Sequence, residues 1–259
     1  MTTENATPLQ MEAPSHDQAQ TQGGSSLGAP PCWGFPPRPY HEEEAVTIYH
    51  GDCRQILPML GRFDLLLTDP PYGIGFAAHP SIGGRKRGQA KEQWDDEAIA
   101  FWVIAQAMAC AEKQVIWGGN YYALPPQRCW LSWHKPDAPP SMGNVEYAWT
   151  NLGQNSRQIS QSIAATNIER LGHPTQKPLR VITWSIQQAG EVQTILDTFA
   201  GTGTTGQAAK NLGKKAVLIE REERYCEIAA RRLAQEVLPI YCPNAPSDRM
   251  AGEPLGGPK

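Results

Sequence analysis

Asp69-Pro70-Pro71-Tyr72 follows the apolar run Phe63-Asp64-Leu65-Leu66-Leu67-Thr68 and brings together an acceptor carboxylate, a rigid turn and an aromatic ring. Each proline fixes its own φ and pushes the residue before it out of helical space, so the chain must leave the strand extended. That projects Asp69 and Tyr72 into a crevice. A planar heterocycle bearing an amino group can stack on Tyr72 while its N–H groups donate to Asp69 and to the carbonyl of Pro70. The residue types thus point to chemistry on a nucleobase, although a Pro-Pro pair also makes a plain turn after any strand.

A second segment, Asp197-Thr198-Phe199-Ala200-Gly201-Thr202-Gly203-Thr204-Thr205-Gly206, lies between a predicted strand and a predicted helix, and Glu220 ends the next strand. Its glycines let backbone approach a ligand closely at a helix N-terminus, and Glu220 lies where two ribose hydroxyls would be bound. This reads as a nucleoside-cofactor site. Gly201-x-Gly203-x-x-Gly206 also fits the dinucleotide fingerprint of nicotinamide enzymes. It is not a phosphate loop of the GxxxxGK[ST] kind, because no lysine follows at the required place.

Two features separate these readings. A dinucleotide fold usually opens with its glycine turn, whereas here more than half of the chain precedes it. A third segment, His173-Pro174-Thr175-Gln176-Lys177-Pro178, lies just upstream and offers the Lys177 cation and the Thr175 hydroxyl at a helix entrance that suits Pro178. That pair fits the amino-acid end of a methionine-derived cofactor.

The elements that must position these residues alternate. Residues 45–49 read as a strand, Asp52 caps a short helix carrying Ile56, Leu57 and Leu60, and residues 63–68 form the strand before Asp69. Residues 95–112 have Phe101, Ile104, Ala105 and Met108 at helical spacing, and 114–117 are a short apolar strand before Gly118-Gly119-Asn120. A strand over 129–133 leads into an irregular polar stretch, 134–172, placed here as a target-recognition region. Helices are predicted over 178–188, 204–212 and 221–237, the last with Tyr225, Ile228, Ala229 and Leu233 inward, and strands over 193–196 and 215–219. Such alternation favours a parallel sheet covered on both faces. The domain is bounded at 41–242. Residues 1–40 and 243–259 lack the large apolar residues that repay ordering entropy and are expected to be disordered tails.

No stretch of the 259 residues has the apolar length of a membrane span, and the N-terminus lacks a signal-peptide layout, so a soluble, cytoplasmic protein is expected. Cys32, Cys53, Cys110, Cys129, Cys226 and Cys242 are scattered singly, which predicts reduced thiols and no structural zinc. The net charge is −3; with the tails set aside, 20 basic residues face 21 acidic ones over 41–242. The concentrated positive patch is Arg85-Lys86-Arg87 in the glycine-rich loop 74–93, suited to gripping phosphate.

In this order, the three segments resemble the amino-methyltransferases of DNA, in the permuted class where DPPY precedes the FxGxG turn. Gly118-Gly119-Asn120-Tyr121-Tyr122, Trp130-Leu131-Ser132-Trp133-His134-Lys135 and Tyr147-Ala148-Trp149-Thr150 are similar to compact phage or prophage adenine methyltransferases, and the likeness spans about residues 44–237. The resemblance implies a three-layer Rossmann-like α/β fold with a seven-stranded, mostly parallel sheet and one antiparallel strand. It implies S-adenosylmethionine as methyl donor without a metal, and double-stranded DNA as partner, with the target base flipped out of the duplex.

By the same resemblance, Asp69 and Pro70 hold the amino group beside Pro71, and Tyr72 stacks on the base. Phe199 and the backbone of Gly201 and Gly203 cradle the cofactor, together with Asp197, Ala200, Thr204, Thr205 and the edge of Asp69. Glu220 takes the ribose hydroxyls, Asp52 the adenine amino group, and Thr175 and Lys177 the methionyl carboxylate. Arg85, Lys86, Arg87 and Lys135 are the DNA contacts, although His134 stands before Lys135 where related enzymes often have an acid. Asp at the head of the tetrapeptide resembles adenine-N6 enzymes, Ser the cytosine-N4 ones. A homodimer, a cognate restriction enzyme and a phage origin are left open.

Overall fold

The computed structural model describes residues 38–73, 99–140, 142–168, 170–171 and 176–234. The expected tails, apart from 38–40, lie outside the described residues, as do the basic loop with Arg85, Lys86 and Arg87, and Thr175.

Among the described residues, nine strands form one sheet in the order β1-β2-β9-β8-β3-β4-β6-β5-β7. They are β1 His41–Glu42, β2 Val46–His50, β3 Phe63–Thr68, β4 Ala111–Trp117, β5 Trp130–His134, β6 Val145–Thr150, β7 Arg157–Ser160, β8 Thr194–Asp197 and β9 Lys215–Glu220. Strands β2, β9, β8, β3 and β4 are parallel neighbours, while β1 runs against β2, and β6 runs against both β4 and β5. The sheet is mixed and mostly parallel, as expected, but it has nine strands rather than seven, two of them reversed.

The central strands are apolar on both faces because helices cover both. In β3, Leu65 and Leu67 join one core with Val181, Ile182 and Ile186 of α4 (Leu179–Gln188), Ala208 and Ala209 of α5 (Thr204–Asn211), and Ala229 and Leu233 of α6 (Glu223–Leu233). Leu66, between them, joins the other core with Cys53 and Ile56 of α1 (Cys53–Ile56), and Val103, Ile104 and Ala107 of α2 (Phe101–Ala109). This is the period-two alternation of a strand buried on both sides. A further helix, α3, spans Ile163–Ile168. Phe101, expected inward, is 44% exposed, because Val103, Ile104 and Ala107 define the buried face of α2.

The connection from β3 through α2 leads outward to β4, and that from β8 through α5 leads the other way to β9. The switch point therefore falls between β3 and β8, whose carboxyl ends share a crevice. Leu65 pairs with Ile195 and Leu66 with Leu196. At the opposite end, the Asp64 carboxylate accepts from the N–H groups of Gln193 and Thr194 at 2.7 and 2.9 Å, and Thr194 Oγ1 accepts from Asp64 N at 3.0 Å. That clamp sets the register of β3 against β8.

The stretch 134–172, expected to be irregular, supplies β6, β7 and α3. Its strands lack a clean alternation because their faces are set by neighbours distant in sequence: Ile116 pairs with Trp149, and Trp133 with both Glu146 and Ile159.

Candidate active site

The site begins at the carboxyl end of β3. Thr68 Oγ1 donates to Asp197 Oδ1 at 3.0 Å, and Asp69 follows directly. Tyr72 donates its hydroxyl to Asp69 Oδ1, and Tyr122 donates to the carbonyl of Pro71, fixing the double-proline turn from above β4. The Tyr72 ring stacks on Tyr121 with centroids 4.9 Å apart and planes inclined by 20°. Gly118 permits this: its φ is +67°, and a Cβ there would lie 1.9 Å from Tyr72 Cε1. Gly119 is also needed, since its Cβ would lie 2.4 Å from that of Trp149.

Lys177 enters from the segment before α4. Its buried ammonium lies 2.6 Å from Asp69 Oδ2, 3.1 Å from the Tyr72 hydroxyl and 3.1 Å from Glu146 Oε2, with the Tyr72 and Trp117 ring centroids 5.6 and 5.7 Å away. Burial works against its charge, yet Asp69 and Glu146 outweigh it and raise its pKa above the ordinary lysine value. Burial likewise opposes the charge on Glu146, but Lys177 and Lys135 hold its carboxyl below the usual range. Burial and the neighbouring Asp69 keep the Tyr72 phenol protonated. The site is thus a carboxylate already receiving two donors, with lone pairs remaining on both oxygens for an amine.

Across the seam is the glycine turn between β8 and α5. Asp197 is buried, which pushes its carboxyl up to about 6 despite donors from Thr205 at 2.6 Å, Phe199 N at 3.1 Å and Thr68. Gly201 and Gly203 have φ of +51° and +76°, and a Cβ on Gly203 would lie 2.8 Å from that of Ala229 in α6. Ala200 N donates to Ile219 O at 3.0 Å, so the turn rests on the end of β9. There Glu220 accepts from Gly201 N through Oε2 at 2.7 Å and from Glu222 N through Oε1 at 2.8 Å. Each oxygen keeps a lone pair, the pair of acceptors that two adjacent hydroxyls require. Burial raises the Glu220 carboxyl, and these N–H groups oppose the rise.

Comparison with known proteins agrees with this geometry. Residues 111–231 match the family model of N6/N4 DNA methylases. The chain is 25% identical to the type II methyltransferase M.ScaI of Streptomyces caespitosus over 79% of its length and 86% of that protein's. It is also 25% identical to M2.LlaDCHI of Lactococcus lactis subsp. cremoris, over 76% and 92%. These matches make the chain similar to DNA amino-methyltransferases.

Two solved structures share its fold. The M1.HpyAVI–SAM complex superposes with a TM-score of 0.54 at 22% identity, covering 73% of this chain and all of that one. The PvuII cytosine-N4-specific DNA methyltransferase gives 0.53 at 18%, covering 77% and 90%.

The crevice brings together Asp69, Pro70, Pro71, Tyr72, Lys177, Asp197, Phe199, Ala200, Gly201, Gly203, Thr204, Thr205 and Glu220. Lys177, expected at the methionyl carboxylate, faces Asp69, with its three protons directed at Asp69, Tyr72 and Glu146. Lys135, expected on DNA, is buried, 2.5 Å from Glu146 and over the Trp133 ring at 4.9 Å. Asp52 lies at the end of β2, where it caps α1 by accepting from Arg54 N at 2.9 Å and pairs with the Arg54 guanidinium, which lowers its pKa. Thr204 accepts from Arg232 at 3.0 Å.

Two further residues of the site take their roles from contacts that only the fold makes. Gln176 accepts from Thr202 Oγ1 at 2.9 Å and from Leu171 N at 3.0 Å, tying the lysine segment to the glycine turn. Glu146 was detectable only as a lone charge at the edge of the apolar run Tyr147-Ala148-Trp149.

Proposed function

We infer that this chain transfers a methyl group from S-adenosylmethionine to the exocyclic N6 of adenine in double-stranded DNA at a specific sequence. The observation that supports this most is the adjacency of two strand ends: Asp69, with its aromatic neighbour Tyr72, and Asp197, which opens the glycine turn, are linked through Thr68.

An exocyclic amine conjugated with its ring is a poor nucleophile. Hydrogen bonds from that amine to Asp69 and to the Pro70 carbonyl favour a pyramidal nitrogen with an available lone pair, and Tyr72 holds the flipped ring by stacking. Glu220 and the glycine turn fit the nucleoside part of the cofactor, Glu220 through the lone pair left on each oxygen. When bound, the cofactor supplies an electrophilic methyl: the N–C bond forms as the C–S bond breaks, the electron pair stays on sulfur, and one amine proton passes to solvent. Asp at the head of the tetrapeptide favours adenine.

The test is modified-base sequencing of DNA from a host expressing the protein, paired with methyl transfer by the purified chain to duplex DNA. N6-methyladenine in a fixed context is expected. N4-methylcytosine alone would overturn the target base, and the absence of any modified base would overturn the activity.

A further inference from the structure

Glu146 lies outside the scheme above yet is joined to it. It stands in β6 opposite Trp133, and its two oxygens take different lysines: Oε1 is 2.5 Å from Lys135 Nζ and Oε2 is 3.1 Å from Lys177 Nζ. The lysines differ in what else they hold. Lys135 has, besides Glu146, a carbonyl contact with Gly143 at 3.4 Å, so burial alone gives it need of a carboxylate. Lys177 already has Asp69 at 2.6 Å, so for Lys177 a second carboxylate is surplus to simple pairing.

The surplus has a use in the proposed chemistry. As the N–C bond forms, the target nitrogen becomes positive, and Asp69 is the negative group that faces it. An ammonium 2.6 Å from Asp69 cancels that field unless it is itself neutralised. With Glu146, the Lys177 charge is shared between two carboxylates; without it, Asp69 alone answers Lys177, and the buried Lys135 is left unpaired as well. Arg170, whose guanidinium also feels the Glu146 carboxylate, adds to the positive side.

We propose that Glu146 is a positioning residue for methyl transfer, neutralising and aiming Lys177 so that Asp69 keeps its negative field for the target amine. The inference rests on the methyl-transfer reading. It assigns Glu146 an effect on the chemical step, with little on binding of the methyl donor, whose turn lies across the seam.

The test compares the full-length wild type with Glu146→Gln, Glu146→Asp and the double variant Lys135→Met/Glu146→Gln, measuring steady-state methyl transfer, S-adenosylmethionine affinity by calorimetry, and melting temperature. Glu146→Gln is expected to lower kcat by about ten- to a hundredfold while KM for the methyl donor stays within about threefold. Glu146→Asp, which keeps the charge, recovers most of kcat. The double variant removes the orphaned Lys135 charge, so it regains melting temperature but keeps the low kcat, because Lys177 remains unneutralised. A double variant that regains both, or a Glu146→Gln enzyme with wild-type kcat, overturns the inference while leaving the methyl-transfer reading intact. A wild type that transfers no methyl overturns both.

Discussion

Thr68 and Asp197, the last residues of two adjacent parallel strands, are joined by a 3.0 Å hydrogen bond from the Thr68 hydroxyl to Oδ1 of Asp197. The residue after Thr68 is the acceptor Asp69, and the residues after Asp197 form the glycine turn. The two halves of the crevice therefore share one buried polar seam, and a change in either half is felt in the other.

Asp69→Ala is expected to lower methyl transfer by about a thousandfold or more, since it removes the group that faces the developing charge. Folding should survive, because Lys177 retains Glu146 at 3.1 Å. Methyl incorporation measured beside a thermal melt checks both; undiminished turnover would remove Asp69 from the scheme.

Two glycines at the same kind of backbone conformation should respond differently to alanine. Gly190 has φ of +70° and open space around its Cβ position, so Gly190→Ala adds only left-handed strain, about 1–2 kcal/mol. Gly118 has φ of +67° and the Tyr72 ring 1.9 Å from its Cβ position. Gly118→Ala is expected to cost more stability and also to displace Tyr72, so methyl transfer falls in Gly118→Ala and holds in Gly190→Ala. Equal activity in the two would show that the Tyr72 position does not matter.

Asp197 gives a pH signature. Its carboxyl is pushed from the ordinary value, about 3.9 in an unfolded chain, up to about 6 in the fold. The folded state therefore binds the proton more tightly, and the stability this contributes is present below about pH 4 and is lost as pH rises through about 6. The melting temperature of the wild type relative to Asp197→Asn should fall over that interval. A difference that is flat across it would mean that Asp197 ionises as an ordinary carboxyl.

Gln176→Ala removes the acceptor of the Thr202 hydroxyl and of Leu171 N. Thr202 is 2% exposed, so leaving its hydroxyl unpaired should cost about 1–3 kcal/mol. Because the loss falls on the glycine turn, calorimetry should show weaker binding of S-adenosylmethionine, with kcat at saturation affected less. Unchanged affinity would mean that the turn holds its shape without this bond.

The parts of this molecule legible in the sequence are those whose signal is local. The strand ending at Thr68 and the helices after Pro178 and Gly203 follow from apolar runs, fixed φ angles and turn residues, and they match within one or two residues. Strands β6 and β7 were not legible, because Tyr147–Trp149 and Arg157–Ser160 acquire a face only by pairing with β4 and β5. The same limit explains the site. Asp69, Tyr72 and the glycine turn announce themselves by spacing, whereas the ion pairs of Lys177 with Asp69 and Glu146 carry no local signal, because those partners are distant in the chain.

The insertion of β8 and β9 between β2 and β3 has a consequence for how the molecule comes into being. Thr68 and Asp197 are 129 positions apart, and Val46 pairs with Ala216 farther still. Parallel pairings at such separations form late, after the cost of closing long loops has been met. A growing chain therefore makes Asp69 and Tyr72 early, with β2 and β3 waiting for strands not yet synthesised. The crevice closes only when the last two strands thread into the middle of the sheet, so a partly folded chain holds neither half of the site in working order.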